Sequence, residues 1–342
     1  MERFEHGGNV HAHPGALDFS ASLNPLGIPP AARRALVEGV DGFAAYPDPD
    51  CRELTEAIAA FEGVDAGMVL ACAGATDAFA RICQVLRPAT ALLCAPCYSG
   101  YEQALQMVGA RVVYHRLLLE DGLDVTEALV DALECLPQVA FLANPNNPTG
   151  RMVPHELLVR LLAAARERGV IVVLDECFVD LTEGRGSTDL LADNPHLVIV
   201  KALTKTFALA GLRVGYVLCA DQSLLGRMRK AGQPWAVSTP AQVAGSACLG
   251  DADYLQRSKA LICGERERLK RGLASLGLQV VPGEANFLLF EARPGLAEDL
   301  LARGVLMRPC DNFEGLGRSW YRVAVRLPGQ DDVLLSALRE VL

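Results

Sequence analysis

The sequence predicts an α/β protein in which a large domain carries a seven-stranded, mostly parallel sheet and a small α+β domain follows it. Three observations predict this. Short apolar runs rich in β-branched residues alternate with longer amphipathic segments between about residues 52 and 220, the pattern of a parallel sheet covered by helices. Beyond Thr239 the composition changes to a long charged stretch and then to a short series of strands and helices. At 342 residues the chain also exceeds one ordinary core, and length alone suggests about two domains.

The first 40 residues show no such alternation and read as an N-terminal arm. Seven strand candidates follow: MVLAC (68–72), ALLCAP (91–96), ARVVYHRL (110–117), VAFLANP (139–145), VIVVLDE (170–176), HLVIVKAL (196–203) and RVGYVLCA (213–220). Helices are expected between them at 52–62, 77–86, 126–136 and 154–168. In the last of these Leu157, Leu158, Leu161, Leu162 and Ala165 form one apolar stripe. A helix over about 252–276 carries Arg257, Lys259, Glu265, Arg266, Glu267, Arg268, Lys270 and Arg271, which reads as a solvated face. A strand, helix, strand, strand, helix series ends the chain. The expected division is an arm at 1–40, a large domain at 41–245 and a small domain at 246–342.

Composition narrows the function. The chain is 51% hydrophobic, so a packed core is affordable, and 41 acidic against 32 basic residues give a net charge of -9. That balance argues against nucleic-acid and anionic-membrane partners. The start, MERFEHGGNVHAHPGALDF, lacks the basic and apolar runs of a secretory signal, and no stretch approaches the ~18 apolar residues of a membrane helix. A cytoplasmic protein is expected. The eleven cysteines mostly sit in apolar runs and read as reduced, buried residues. Cys94 and Cys97 have redox or zinc spacing but no second pair, and His6, His11 and His13 lack a completing cluster. No metal site is expected.

In open α/β sheets ligands bind beyond the carboxyl ends of the strands. After the first run, Gly74-Ala75-Thr76 opens a helix, as an anion site or simply as a turn and cap. After the second stands Tyr98, a ring able to cover a planar ligand. After the fourth, the turn from Asn144 to Gly150 fixes the Asn147 amide. The fifth ends in Asp175-Glu176, where a carboxylate is costly unless paired, so capping and ligand roles both stand. The sixth leads into Thr204-Lys205-Thr206 and on to Arg213. Only five lysines occur, and Lys230, Lys259 and Lys270 lie in polar helical stretches. That leaves Lys201 and Lys205 near the sheet, with Lys205 just past the strand. A lysine, an acid, a stacking ring, an anion cradle and an arginine together suit pyridoxal phosphate.

The segments NNPTG, VVLDE and LTKTFALAGLRVGY, in this order and spacing, resemble fold-type I pyridoxal-phosphate enzymes of the class I/II aminotransferase superfamily. The resemblance runs from the arm to the last strand and implies an aspartate-aminotransferase-like fold. It implies that Lys205 binds the cofactor aldehyde and later shuttles protons, and that Asp175 pairs with the pyridine nitrogen. Asn147 would bond the ring hydroxyl oxygen and Tyr98 would stack on the ring. Gly74, Ala75, Thr76, Thr204 and Arg213 would hold the phosphate. Tyr46 resembles the tyrosine that reaches the neighbouring subunit's cofactor phosphate, which implies a homodimer with shared sites. The pattern is broken at Phe178, where many relatives have tyrosine, at Ala202, which lacks a hydroxyl, and at Cys72-Ala73-Gly74 in place of Gly-Asn-Gly.

The arm bears on the reaction. His6-Gly-Gly-Asn9 and the stretch from Leu17 through Ser20 and Asn24 to Gly27 are similar to the start of L-threonine-O-3-phosphate decarboxylases. Histidinol-phosphate aminotransferases, the next nearest relatives, show an acidic Asn-Glu-Asn-Pro there. Arg308, Arg322 and Arg326 are expected on adjacent strands, where buried guanidiniums need anions. By resemblance Arg322 binds the substrate carboxylate, and Arg308, Asn24 and His6 bind its phosphate, while an internal salt bridge suits Arg326. The expected reaction is decarboxylation of L-threonine 3-O-phosphate to (R)-1-aminopropan-2-yl phosphate in cobalamin biosynthesis. The alternative is a histidinol-phosphate-type aminotransferase, and a non-catalytic pyridoxal-binding regulator is a third reading, disfavoured by the intact Lys205, Asp175 and Arg213.

Overall fold

A computed structural model of the chain describes residues 6–342. The first five residues, part of the segment read as lacking a secretory signal, lie outside the described residues. The large unit begins with helix α1 (Arg52–Glu62) and strand β1 (Val69–Cys72), then α2 (Ala75–Leu86), β2 (Thr90–Ala95), α3 (Ser99–Gln106) and β3 (Arg111–Arg116). It continues with β4 (Val139–Ala143), α4 (His155–Glu167), β5 (Ile171–Asp175), β6 (Leu197–Ala202), the short α5 (Leu203–Thr206) and β7 (Gly215–Cys219).

All seven apolar runs become strands of one sheet, ordered β1-β7-β6-β5-β4-β2-β3. The pairs from β3 to β6 are parallel, and β7 runs antiparallel to both β1 and β6. The runs are continuously apolar because both faces are covered. Leu92, Ala140, Val172, Leu174 and Ile199 enter one core, while Leu93, Phe141, Val173 and Val198 enter the other. The helix expected at 126–136 is shorter, Ala128–Ala132 followed by a 3-10 turn, with Leu129 and Leu133 buried in the core. The stripe of α4 is buried as its spacing predicts.

The remainder holds α6 (Ala252–Ser275), β8 (Gln279–Val280), β9 (Phe287–Glu291), β10 (Arg308–Pro309), β11 (Trp320–Ala324) and α7 (Pro328–Val341). The four strands form an antiparallel sheet in the order β10-β11-β9-β8. The solvated reading of α6 needs correction on one side: Tyr254, Ser258, Ile262, Arg266, Leu269 and Leu273 are buried. Their spacing of three and four is a core-facing stripe, and Arg266 belongs to it, donating to the Glu284 carbonyl at 2.6 Å. The arm is stitched to this unit, since Leu17–Asp18 pairs in parallel with Val305–Leu306 and Phe19 enters its core. Among the described residues no helix is long and apolar enough to cross a membrane.

Candidate active site

The carboxyl ends of β1, β2, β4, β5 and β6 converge on one cavity of about 190 Å³. Its walls include Ala75, Thr76, Tyr98, Asn147, Asp175, Thr204, Lys205 and Arg213 from the large unit, Arg308 and Arg322 from the C-terminal sheet, and His6 and Ser20 from the arm. Residues up to 316 positions apart in the chain are thus brought together by the sheet order and by the arm crossing between the two units.

The two candidate lysines separate cleanly. Lys201 is inside β6 and 3% exposed, with Nζ 2.6 Å from Glu62 Oε1 and 2.7 Å from Asp180 Oδ1. Those carboxylates hold its ammonium charged in spite of burial. The Lys205 side chain, one helical turn on, makes no hydrogen bond or ion pair among the described residues, and Nζ lies 5.8 Å from the Phe178 ring centroid. Burial, followed by the nearby Arg322, lowers its amine to about 8. An amine so placed is free for covalent chemistry.

The pair Asp175-Glu176 is divided by the strand pleat, which sends successive side chains to opposite faces. Asp175 faces the cavity, where Oδ2 accepts from the Tyr101 hydroxyl at 2.5 Å and Oδ1 from the Cys177 N–H at 3.0 Å. Burial raises its carboxyl, and these two bonds and Lys205 oppose that rise. Glu176 is fully buried on the Lys201 side, and burial raises it to about 7.

The phosphate end is built on the first turn of α2. Gly74 has φ +84, and a Cβ there would stand 3.0 Å from Arg213 Nη2, so the absence of a side chain lets the guanidinium close on the helix N-terminus. Asp77 accepts the Ala73 N–H and pairs with Arg81, while Ala75 and Thr76 line the cavity. Tyr98 folds back over Gly100, where any Cβ would lie 2.2 Å from the ring. The His6 ring sits 5.5 Å from that of Tyr98, and partial burial, Arg308 and Lys205 all hold its imidazole below its ordinary value.

At the opposite end Arg322 is buried, with Nη1 2.5 Å from Asn147 Oδ1 and Nη2 3.0 Å from the Ser20 carbonyl. Its Nε is buried without a hydrogen-bond partner, and burial lowers the guanidinium to about 10. Arg308 donates to Asn312 Oδ1 at 2.7 Å and lies over the Phe313 ring.

Asn24 and Arg326 depart from their expected placements. Asn24 does not line the cavity: it is 2% exposed, and its amide is committed to Thr206 and Ser258, which removes it from the substrate contacts. Tyr46 is 79% exposed, stacks on Trp235 at 4.6 Å, and stands away from its own cavity. Arg326 forms no salt bridge among the described residues; its backbone N–H donates to Asp331. Cys94 and Cys97 are buried free thiols, pushed upward by burial, Cys94 to about 12, so their spacing is structural. Tyr101, Cys177 and Phe313 escape sequence reasoning. Tyr101 alone had a legible signal, standing three positions past Tyr98 on the same helix face.

These residues fit pyridoxal 5'-phosphate. A free amine, a buried carboxylate opposite it and a helix N-terminus that Gly74 leaves open to an arginine match its aldehyde, ring nitrogen and phosphate in turn.

Comparisons with known proteins agree. The threonine-phosphate decarboxylase of Salmonella typhimurium is 35% identical, with 98% of this chain and 96% of that protein covered. The histidinol-phosphate aminotransferase of Methanosarcina mazei is 31% identical, over 94% of this chain and 87% of its own length. Among solved structures, the histidinol-phosphate aminotransferase from Clostridium acetobutylicum has a TM-score of 0.90 at 27% identity, covering 95% of this chain and 98% of that one. The fold is aspartate-aminotransferase-like. Since the model described as aminotransferase class I and II matches residues 14–339, from the arm through α7, the chain belongs to that family.

Proposed function

We propose that this chain binds pyridoxal 5'-phosphate and decarboxylates L-threonine 3-O-phosphate to (R)-1-aminopropan-2-yl phosphate and carbon dioxide, a step of cobalamin biosynthesis. The observation that carries the reading is the presence of three guanidiniums, Arg213, Arg308 and Arg322, in the wall of one cavity around Lys205. Arg213 is taken up by the cofactor phosphate, which leaves two arginines for a substrate with two anionic groups. Threonine phosphate has a carboxylate and a phosphate. The similarity to the Salmonella typhimurium protein supports the same substrate.

When bound, the cofactor supplies an electron sink for the bond broken at the substrate α-carbon. The chain supplies the rest. Lys205 would hold the cofactor through its amine and would return a proton to the substrate α-carbon once carbon dioxide has left. Asp175 holds a proton at the ring nitrogen, and Tyr101 and Cys177 hold Asp175. Gly74, Ala75, Thr76, Thr204 and Arg213 grip the cofactor phosphate, Tyr98 covers the ring and Asn147 bonds its hydroxyl oxygen. Arg322 orients the carboxylate, while Arg308 and His6 take the substrate phosphate. The division into arm, large domain and small domain at residues 40 and 245 is part of the proposal, although one helix, Thr239–Leu249, runs across the second boundary. A cytoplasmic homodimer completes the proposal, with Tyr46 serving the partner's site; its exposure outside its own cavity supports that role.

A histidinol-phosphate-type aminotransferase is the second reading, favoured by the Methanosarcina mazei relative. The experiment is carbon dioxide release from L-threonine 3-O-phosphate by purified, cofactor-loaded protein without a keto acid. Release supports decarboxylation. Turnover of histidinol phosphate that needs a keto acid and yields no carbon dioxide overturns it.

A further inference from the structure

The turn that bears Lys205 is only four residues long, so its last carbonyls have no acceptor role within the helix. Asn24 satisfies two of them. Its backbone N–H donates to the Lys205 carbonyl at 3.1 Å, and its Nδ2 donates to the Thr206 carbonyl at 2.8 Å. Nδ2 also donates to Ser258 Oγ at 2.8 Å, and that hydroxyl donates to the Tyr254 carbonyl at 2.7 Å within α6. Oδ1 accepts from the Leu26 N–H at 3.0 Å. The Tyr254 hydroxyl closes the loop by donating to the Gly27 carbonyl. Every polar group of the Asn24 side chain is therefore used in a setting that is 2% exposed. Only a primary amide serves, because one nitrogen must donate twice while the other end accepts.

The same residue adjoins the substrate end. Ser20 and Ala21, four and three positions earlier, line the cavity, and the Ser22 carbonyl accepts from Asn286 at 3.2 Å. We propose that Asn24 is a positioning residue for Lys205: it fixes the lysine-bearing turn against α6 and sets the arm and the reactive amine in one register. This rests on Lys205 being the reactive amine of the proposed function. Without the clamp the turn loosens, and Lys205 Nζ gains water and loses its forced proximity to Arg322.

The test follows the pH dependence of Lys205 labelling by trinitrobenzenesulfonate in cofactor-free protein, read by mass spectrometry, with thermal melting in parallel. The unaltered protein should show a midpoint of about 8. Asn24→Ala and Asn24→Asp should move it upward by about one pH unit as solvation, or a new carboxylate, favours the ammonium. Ser258→Ala removes only the outer anchor and should give a smaller shift in the same direction. Folded Asn24 variants with an unchanged midpoint overturn the proposal, whatever their melting temperature. If neither Asn24 variant folds, Ser258→Ala decides: an upward shift supports the clamp and no shift overturns it. A shifted midpoint in a protein that releases no carbon dioxide from threonine phosphate overturns the substrate reading alone.

Discussion

Lys201 and Lys205 leave the end of the same strand four positions apart and meet opposite electrostatic surroundings. Lys201 Nζ is closed between Glu62 and Asp180, whereas Lys205 Nζ faces the cavity beside Arg322. Lys205→Ala should abolish borohydride-trapped cofactor and lower activity by at least about a thousandfold, since proton transfer by a placed base alone contributes ~10²–10⁴. Lys201→Met should keep the trapped adduct at residue 205 yet destabilise the fold by about 3–5 kcal/mol, because it strands two buried carboxylates. Urea unfolding and peptide mapping distinguish the two. An adduct at Lys201 would sink the assignment.

Tyr101 is fully buried and its hydroxyl donates to Asp175. Removing a hydrogen bond to a charged group costs about 1.5–3 kcal/mol. Tyr101→Phe should therefore raise the Asp175 carboxyl further and lower kcat about tenfold to a hundredfold, with KM little changed. Steady-state kinetics check this, and an unchanged kcat would mean that Asp175 needs only the Cys177 N–H.

Arg308 tests the two-anion argument. Arg308→Ala should raise KM for threonine phosphate by about a hundredfold, the loss of about 3 kcal/mol for a charge-assisted contact. Binding of a non-phosphorylated amino acid should hardly change. Equal losses for both ligands would assign Arg308 to the carboxylate or to folding.

Asp331 gives a pH signature away from the site. It is fully buried, accepts the Arg326 N–H at 3.1 Å, and burial raises its carboxyl to about 7. The folded chain thus holds a proton that the unfolded chain releases near pH ~4. The stabilisation is complete below that value and is lost as pH rises through about 7. Asp331→Asn keeps the acceptor and cannot ionise, so its Tm should fall less than that of the unaltered protein between pH 4 and 8. Parallel Tm profiles would refute the assignment.

The strands were legible because a sheet covered on both faces must be written as continuous apolar runs, and all seven runs pair. Lys205 was legible by scarcity, since a chain with five lysines leaves few amines near a strand end. The pleat decided between Asp175 and Glu176, which adjacent positions alone do not separate. Asn24 misled for a physical reason: the hydrogen bonds that define its role reach residues 182 and 234 positions away, and nothing local in the arm marks them. Tyr101 had its spacing from Tyr98 as a local signal, but its partner Asp175 lies 74 positions away.

By itself the sequence determined the periodicities, and with them the sheet, its helices and the small set of groups able to do amine and carboxylate chemistry. Those are properties of neighbouring residues, fixed by side-chain alternation and backbone geometry. Only the tertiary structure decided which lysine is neutralised by carboxylates, which asparagine clamps a turn and which arginines share a cavity. Each of those depends on burial and on partners that the sheet order and the crossing of the arm bring within about 3 Å.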